Sequence, residues 1–234
     1  MGFSEQKFEQ FIACIPEIEQ ALDYTFRKKA LLIEAFVHRS FLNETKRALC
    51  SNERVEFLGD AVLGLFVASS LHDGFPDQSE GFLSKKKSYL VSRKSCMKML
   101  KELNVASYLL VGKGEEAIAP SIAANLFEAI VGAVFLDGGW EAVERFLTRF
   151  RAYILSTLIP RNYKAELQEF LAKKAKLLPI YILEEEDLSA RSPVFRVSVC
   201  IDGMKVAEAA GSTKQEAEQQ AAASALKYIR GSSW

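Results

Sequence analysis

The sequence predicts an all-α domain followed by a small α+β domain of order α-β-β-β-α. Two observations carry this reading. Up to about residue 158 apolar side chains recur at three- and four-residue spacings, without strand-like alternation. Beyond a short stretch containing Pro160 and Asn162 the period becomes two, most cleanly at Phe195, Val197 and Val199. The expected boundaries are a first domain over 1–158, a linker over 159–162 and a second domain over 163–231.

The helical signal starts with Phe8, Phe11, Ile12 and Ile15 and continues through Leu31, Leu32, Ala35 and Phe36. Asp73-Gly74-Phe75-Pro76 and Asp137-Gly138-Gly139 punctuate it. In the second domain residues 165–178 predict an amphipathic helix, and 180–183, 194–201 and 205–210 predict strands. Asp202-Gly203 is a two-residue turn signal, so the second and third strands form a hairpin. An alanine-rich helix over 213–229 closes the domain against the sheet. The acidic run Glu184-Glu185-Glu186-Asp187 is expected to be a solvated turn.

At 234 residues, 49% hydrophobic and with zero formal net charge, the chain can bury a full core. Zero net charge provides no global pull on polyanions, so nucleic-acid contact has to come from local patches. Cys14, Cys50, Cys96 and Cys200 lack C-x-x-C spacing, which argues against a zinc ribbon or redox pair and for reduced thiols. With neither a leader pattern nor an apolar run of membrane-spanning length, a cytoplasmic protein with no membrane partner is expected.

The chemistry concentrates in two stretches. In N-E-R-V-E-F-L-G-D, residues 52–60, helical rotation of about 100° per residue places Glu53, Glu56 and Asp60 within one arc. Like charges there repel, and the neighbouring Val55, Phe57, Leu58, Ala61, Val62 and Leu65 suggest a largely buried helix. A hard divalent cation offsets such a cost and suits oxygen donors; a solvated face partnered by Arg54 and lysines of other helices does so too. In A-N-L-F-E-A-I-V-G-A-V-F-L-D, residues 124–137, Asn125 and Glu128 share a face, while Gly132 and Ala133 permit a close helix neighbour. Two helices each offering oxygen ligands suit a hard metal; a salt bridge from Glu128 to a buried arginine is the plainer alternative.

Together these stretches resemble bacterial ribonuclease III. Val37-His38-Arg39-Ser40, Glu80-Gly81-Phe82-Leu83-Ser84, Leu90-Val91-Ser92 and Gly112-Lys113-Gly114-Glu115 extend the resemblance in the same order. Y-K-A-E-L-Q-E-F-L and G-S-T-K-Q-E-A-E-Q-Q-A-A resemble the opening and close of that family's double-stranded-RNA-binding domain. The resemblance implies a Mg²⁺-dependent endonuclease of double-stranded RNA, with Mn²⁺ as substitute. Its products carry a 5′-phosphate, a 3′-hydroxyl and short 3′ overhangs, and its work is processing of ribosomal and other structured RNA precursors. It implies metal ligation by Glu56, Asp60, Asn125 and Glu128, with Asp60, Glu128 and Glu53 in the catalytic set. Phe57 and Glu80 match positions at a homodimer interface. Gln168, Glu169 and Lys214 match RNA contacts, and Arg191, where the family's motif is gone, is kept as a candidate minor-groove contact.

Three departures qualify this. Asn125 stands where Asp is usual, removing one negative charge. The loop 116–121 lacks the family's Gly/Arg-rich stretch. In the second domain Leu188-Ser189-Ala190-Arg191 replaces G-P-x-H, Lys214-Gln215 replaces a lysine pair, and 11 basic residues from Arg161 onward meet 10 acidic ones. The alternative is therefore a double-stranded-RNA-binding or ribosome-assembly protein with weakened cleavage.

Overall fold

Why the chain needs its two longest helices is clear from where they lie. The computed structural model describes residues 3–114, 119–159, 161–174, 177–187 and 193–231. The chain divides into two compact units, Met1–Ile159 and Pro160–Trp234. In the first, α1 (Phe3–Ala13), α2 (Ile15–Leu22), α3 (Lys29–Ala35) and α4 (Arg39–Leu42) precede the long α5 (Glu53–Gly74). Then come α6 (Glu80–Leu90), α7 (Arg93–Leu103), α8 (Pro120–Thr148) and α9 (Arg151–Ser156). Alone, α5 and α8 are long and apolar enough to cross a membrane by length and composition. Their apolar windows are 50% and 61% buried within the protein, where α5 and α8 form its most extensive helix pair.

Two glycines set how closely they approach. A Cβ on Gly59 would lie 1.8 Å from the Glu128 carbonyl oxygen, and one on Gly132 would lie 2.1 Å from that of Val55. These are contacts with backbone, which no rotamer change relieves. The expected close approach at Gly132 is found; its counterpart Gly59 lies within the first acidic stretch itself.

Around this pair Leu63, Phe66, Phe127, Ile130, Val131 and Val134 build a continuous core. The expectation of a largely buried α5, which counted Phe57, Ala61 and Leu65 toward burial, needs correction. Phe57 is 82% exposed and Leu65 58%, and with Ala61 they recur every four residues, so one stripe of α5 faces outward. The Asp137-Gly138-Gly139 signal marks a break inside α8, at Gly139 with φ 71°. Asp137 is buried there and accepts from Tyr24 Oη at 2.9 Å and the amides of Arg27 and Lys28 at 2.9 and 2.8 Å. Burial alone would raise its carboxyl, yet these donors hold it below the ordinary range.

The second unit has α10 (Tyr163–Lys174), β1 (Ile180–Asp187), β2 (Val194–Ile201), β3 (Met204–Gly211) and α11 (Lys214–Gly231). The strands form one antiparallel sheet of order β1-β2-β3. Asp202 (φ 50°) and Gly203 (φ 75°) both have positive φ, as a type I′ hairpin turn requires. Val199 and Ile201 pack against Leu167, Leu171, Ala221 and Ala225 of the helices.

The acidic run is not a turn. Glu184–Asp187 prolongs β1, with Glu185 opposite Arg196 in the register. Arg196 pairs with Glu185 at 3.1 Å and Glu208 at 3.3 Å, and Lys205 with Glu184 at 3.2 Å. Cross-strand opposite charges stabilise a sheet surface, and here they also use up two of the unit's cations.

Candidate active site

Asn52 opens α5 from a buried position, its backbone N–H donating to the Val37 carbonyl at 2.8 Å and its amide to Ala35 at 3.3 Å. That anchor directs the first turn of α5 into a cleft of about 740 Å³ lined by His38, Arg39, Asn52, Glu53, Glu56 and Asn125. His38 is structural here: its Nδ1 lies 2.7 Å from Ser40 Oγ, and its side chain caps α4. The other histidine, His72, is exposed beside Asp73. Glu53 and Glu56 sit in the first turn of α5, where the helix dipole favours carboxylates and softens their mutual repulsion.

The four predicted ligands arrive from two helices, Glu56 and Asp60 on α5, Asn125 and Glu128 on α8. Glu128 is half-buried and titrates at about 7, raised by desolvation first and then by the charges of Asp60 and Glu56. Glu56 is likewise raised, by desolvation, with Glu53 and Asp60 adding repulsion. The Asn125 amide donates a hydrogen bond to Glu56 and partly counters this. Glu53 is exposed, accepting from Ser51 Oγ at 3.0 Å and standing 3.7 Å from Arg39.

No buried arginine pairs with Glu128 among the described residues. The cation acting on it is the exposed Arg93 at the start of α7. Nor do three or more His, Cys, Asp or Glu side chains gather into a ready-made cage among the described residues. The donor set nevertheless fits Mg²⁺, which takes one or two carboxylates and leaves positions for water and phosphate oxygens. Two desolvated carboxylates with raised affinity for a proton are an environment that a divalent cation relieves.

Of the other predicted positions, Phe57 points outward from α5, and Glu80 is the exposed first residue of α6, accepting from Ser84 Oγ at 2.6 Å. Gln168 and Glu169 are exposed on α10, and Lys214 is the exposed first residue of α11. Thr213 Oγ1 caps that helix, accepting from the Glu216 amide at 3.1 Å, while Glu216 in turn accepts from the Ser212 amide at 2.9 Å. Arg191 lies outside the described residues.

Two participants escape sequence reading: Arg93, and Cys96, whose buried thiol donates to Glu128 Oε1 at 3.6 Å. Burial first, then the Glu128 charge, pushes this thiol well above the usual range, so it stays a neutral donor. Cys96 falls at an ordinary apolar position of an amphipathic helix, and nothing local in the sequence separates it from core.

Residues 28–156 match the family model described as Ribonuclease-III-like, and residues 163–229 the double-stranded RNA binding motif. The chain is 42% identical over 229 residues to "Ribonuclease 3" of Protochlamydia amoebophila, covering 94% of each chain. It is 36% identical over 241 residues to that of Geobacillus kaustophilus, covering 97% of this chain and 95% of the other. Among solved structures, the nuclease domain of ribonuclease III from Campylobacter jejuni superposes with a TM-score of 0.55 at 38% identity. It covers 61% of this chain and 99% of that one. With two acidic helices crossing at paired glycines and a following α-β-β-β-α unit, the chain belongs to the ribonuclease III family and is a double-stranded-RNA endonuclease.

Proposed function

We propose that this chain works as a Mg²⁺-dependent homodimer that cuts both strands of RNA duplexes, leaving 5′-phosphate, 3′-hydroxyl and short 3′ overhangs, in ribosomal and other structured precursors. The observation that carries it is the pair of desolvated carboxylates, Glu56 and Glu128, presented from two helices locked backbone to backbone. Glu56, Asp60, Asn125 and Glu128 would hold the metal. When bound, Mg²⁺ supplies the Lewis acidity that activates water and stabilises the leaving 3′ oxygen. Glu53 keeps negative potential beside Glu56, and the rigid helix crossing holds the ligands at fixed separation. The His38–Ser40 pair in the cleft is engaged in structure, His38 capping α4 and Ser40 Oγ accepting from the Gly112 amide at 3.0 Å. A covalent serine route is therefore disfavoured, in keeping with direct hydrolysis.

The outward stripe of Phe57, Ala61 and Leu65 supports dimerisation. The Campylobacter jejuni nuclease domain, for its part, is described as having a flexible region involved in dimer formation. Glu80 would lie near the partner's site. All four cysteines are free, in keeping with a reducing cytoplasm.

The test is cleavage of an end-labelled RNA duplex over a Mg²⁺ series. Cleavage that needs the cation supports the proposal; binding without cutting at any Mg²⁺ or Mn²⁺ concentration favours the RNA-binding alternative. In the same series Asn125→Asp is expected to lower the half-saturating Mg²⁺ concentration by about tenfold, since ligand charge count tunes affinity for hard cations. An unchanged requirement would remove Asn125 from the ligand set.

For the second unit, A-form RNA is recognised by shape and by phosphate and ribose contacts, and Gln168, Glu169 and Lys214 are the exposed candidates. Lys214→Ala should weaken duplex binding several-fold and reduce the slope of log K against log salt by about one. Gel shifts at several salt concentrations measure both, and an unaltered slope would exclude a phosphate contact at Lys214.

A further inference from the structure

Glu128 is fixed at two levels. Its backbone carbonyl is pressed against Gly59 of α5. Among the described residues its carboxylate accepts a single hydrogen bond, from the Cys96 thiol on α7, with Sγ 3.6 Å from Oε1. Cys96 is fully buried, and its Sγ also lies 3.8 Å from the Val91 carbonyl between α6 and α7. Asp60, Glu56 and Arg93 are the charged groups acting on the same carboxylate.

We infer that Cys96 is a positioning residue for RNA cleavage: its buried S–H donates to Glu128 Oε1 and fixes the face that the carboxylate turns toward Asp60 and Glu56. This rests on the role proposed for Glu128. A thiol is a weak donor, so it orients the carboxylate while withdrawing little of the charge needed for a cation. An apolar side chain there would leave a half-buried carboxylate oxygen unpaired, a costly state that favours rotation to another rotamer.

A cysteine that merely fills the space beside Met99 and Leu100 predicts the opposite ranking of substitutions. Filler tolerates valine and suffers from a buried hydroxyl; a positioning donor tolerates serine and suffers from valine. Single-turnover cleavage of an end-labelled duplex over a Mg²⁺ series separates the two, with duplex binding measured in EDTA.

Cys96→Val is expected to slow cleavage about tenfold, the scale of one hydrogen bond to a charged group, and to raise the half-saturating Mg²⁺ with duplex affinity unchanged. Cys96→Ala, which adds no bulk, carries the same expectation should valine distort α7. Cys96→Ser should retain most of the rate. Valine and alanine variants that match the parent in rate and Mg²⁺ requirement, or a serine variant that falls as far as they do, would overturn the inference. Full activity of Glu128→Gln alongside would overturn the reading of Glu128 itself.

Discussion

Glu128→Gln will abolish duplex cleavage, by at least about 10³-fold in single-turnover rate, while leaving duplex affinity in EDTA unchanged. The amide keeps the shape and one oxygen but removes the charge that Asp60 and Glu56 repel and that a cation would neutralise. Its effect on stability should run the other way.

The folded Glu128 titrates at about 7 against an ordinary 4.5, so between these values the native state holds the proton more tightly than the unfolded chain. The contribution is present in full below pH 4.5, is lost as pH rises through 7, and Glu56 acts in the same direction. Discounted for partial exposure, Glu128 should cost about 2 kcal/mol of stability in metal-free buffer at pH 8 relative to pH 5. Glu128→Gln should flatten this slope, and Mg²⁺ should restore stability to the parent alone. Urea unfolding in EDTA at several pH values measures it. A variant cutting within tenfold of the parent, or a parent whose stability rises from pH 5 to 8, would contradict the electrostatic account of the site.

The largest structural effect belongs to a residue with no functional atom. In Gly59→Ala the new methyl would meet the Glu128 carbonyl oxygen at 1.8 Å, its carbon at 2.6 Å and the Gly132 amide nitrogen at 2.9 Å. Since all three are backbone, α5 and α8 must separate, opening voids along the pair. A loss of about 3–5 kcal/mol is expected from overpacking combined with lost core contact. Cleavage at permissive temperature should fall as well, because the same shift moves Glu56 and Asp60 away from Asn125 and Glu128. Gly132→Ala, facing Val55, should behave alike, and the double variant should lose less than the sum of the two because the helices are already parted. Thermal and urea midpoints within error of the parent would show that the crossing is looser than described.

These two residues illustrate what the sequence makes legible. The acids announce themselves because charge within an apolar helical pattern demands a partner. Gly132 is readable as a site of close approach, yet Gly59 passes as an ordinary member of the motif, since which helix lies against it is a tertiary fact. The Asp202-Gly203 turn is plain because two consecutive positive φ angles favour such residue pairs. The acidic run reads as a turn for the converse reason: Arg196 and Lys205 are its partners only once the strand register is known. Phe57 and Leu65 look like core because hydrophobicity does not distinguish a buried face from one kept bare. Cys96 has no signal at all, as its importance depends on a carboxylate 32 positions away.

The charged stretch Glu184–Asp187 has one more consequence. In a sheet of order β1-β2-β3, β1 is an edge, with a row of backbone donors and acceptors open to another strand. An unguarded edge templates pairing between molecules. Two copies of this edge brought together would align four acids against four, so each molecule repels the other's approach along that border. The residues that weaken the unit's attraction for RNA thus act as a gatekeeper against self-association, and their replacement by neutral side chains would gain polyanion binding at the cost of strand-mediated aggregation.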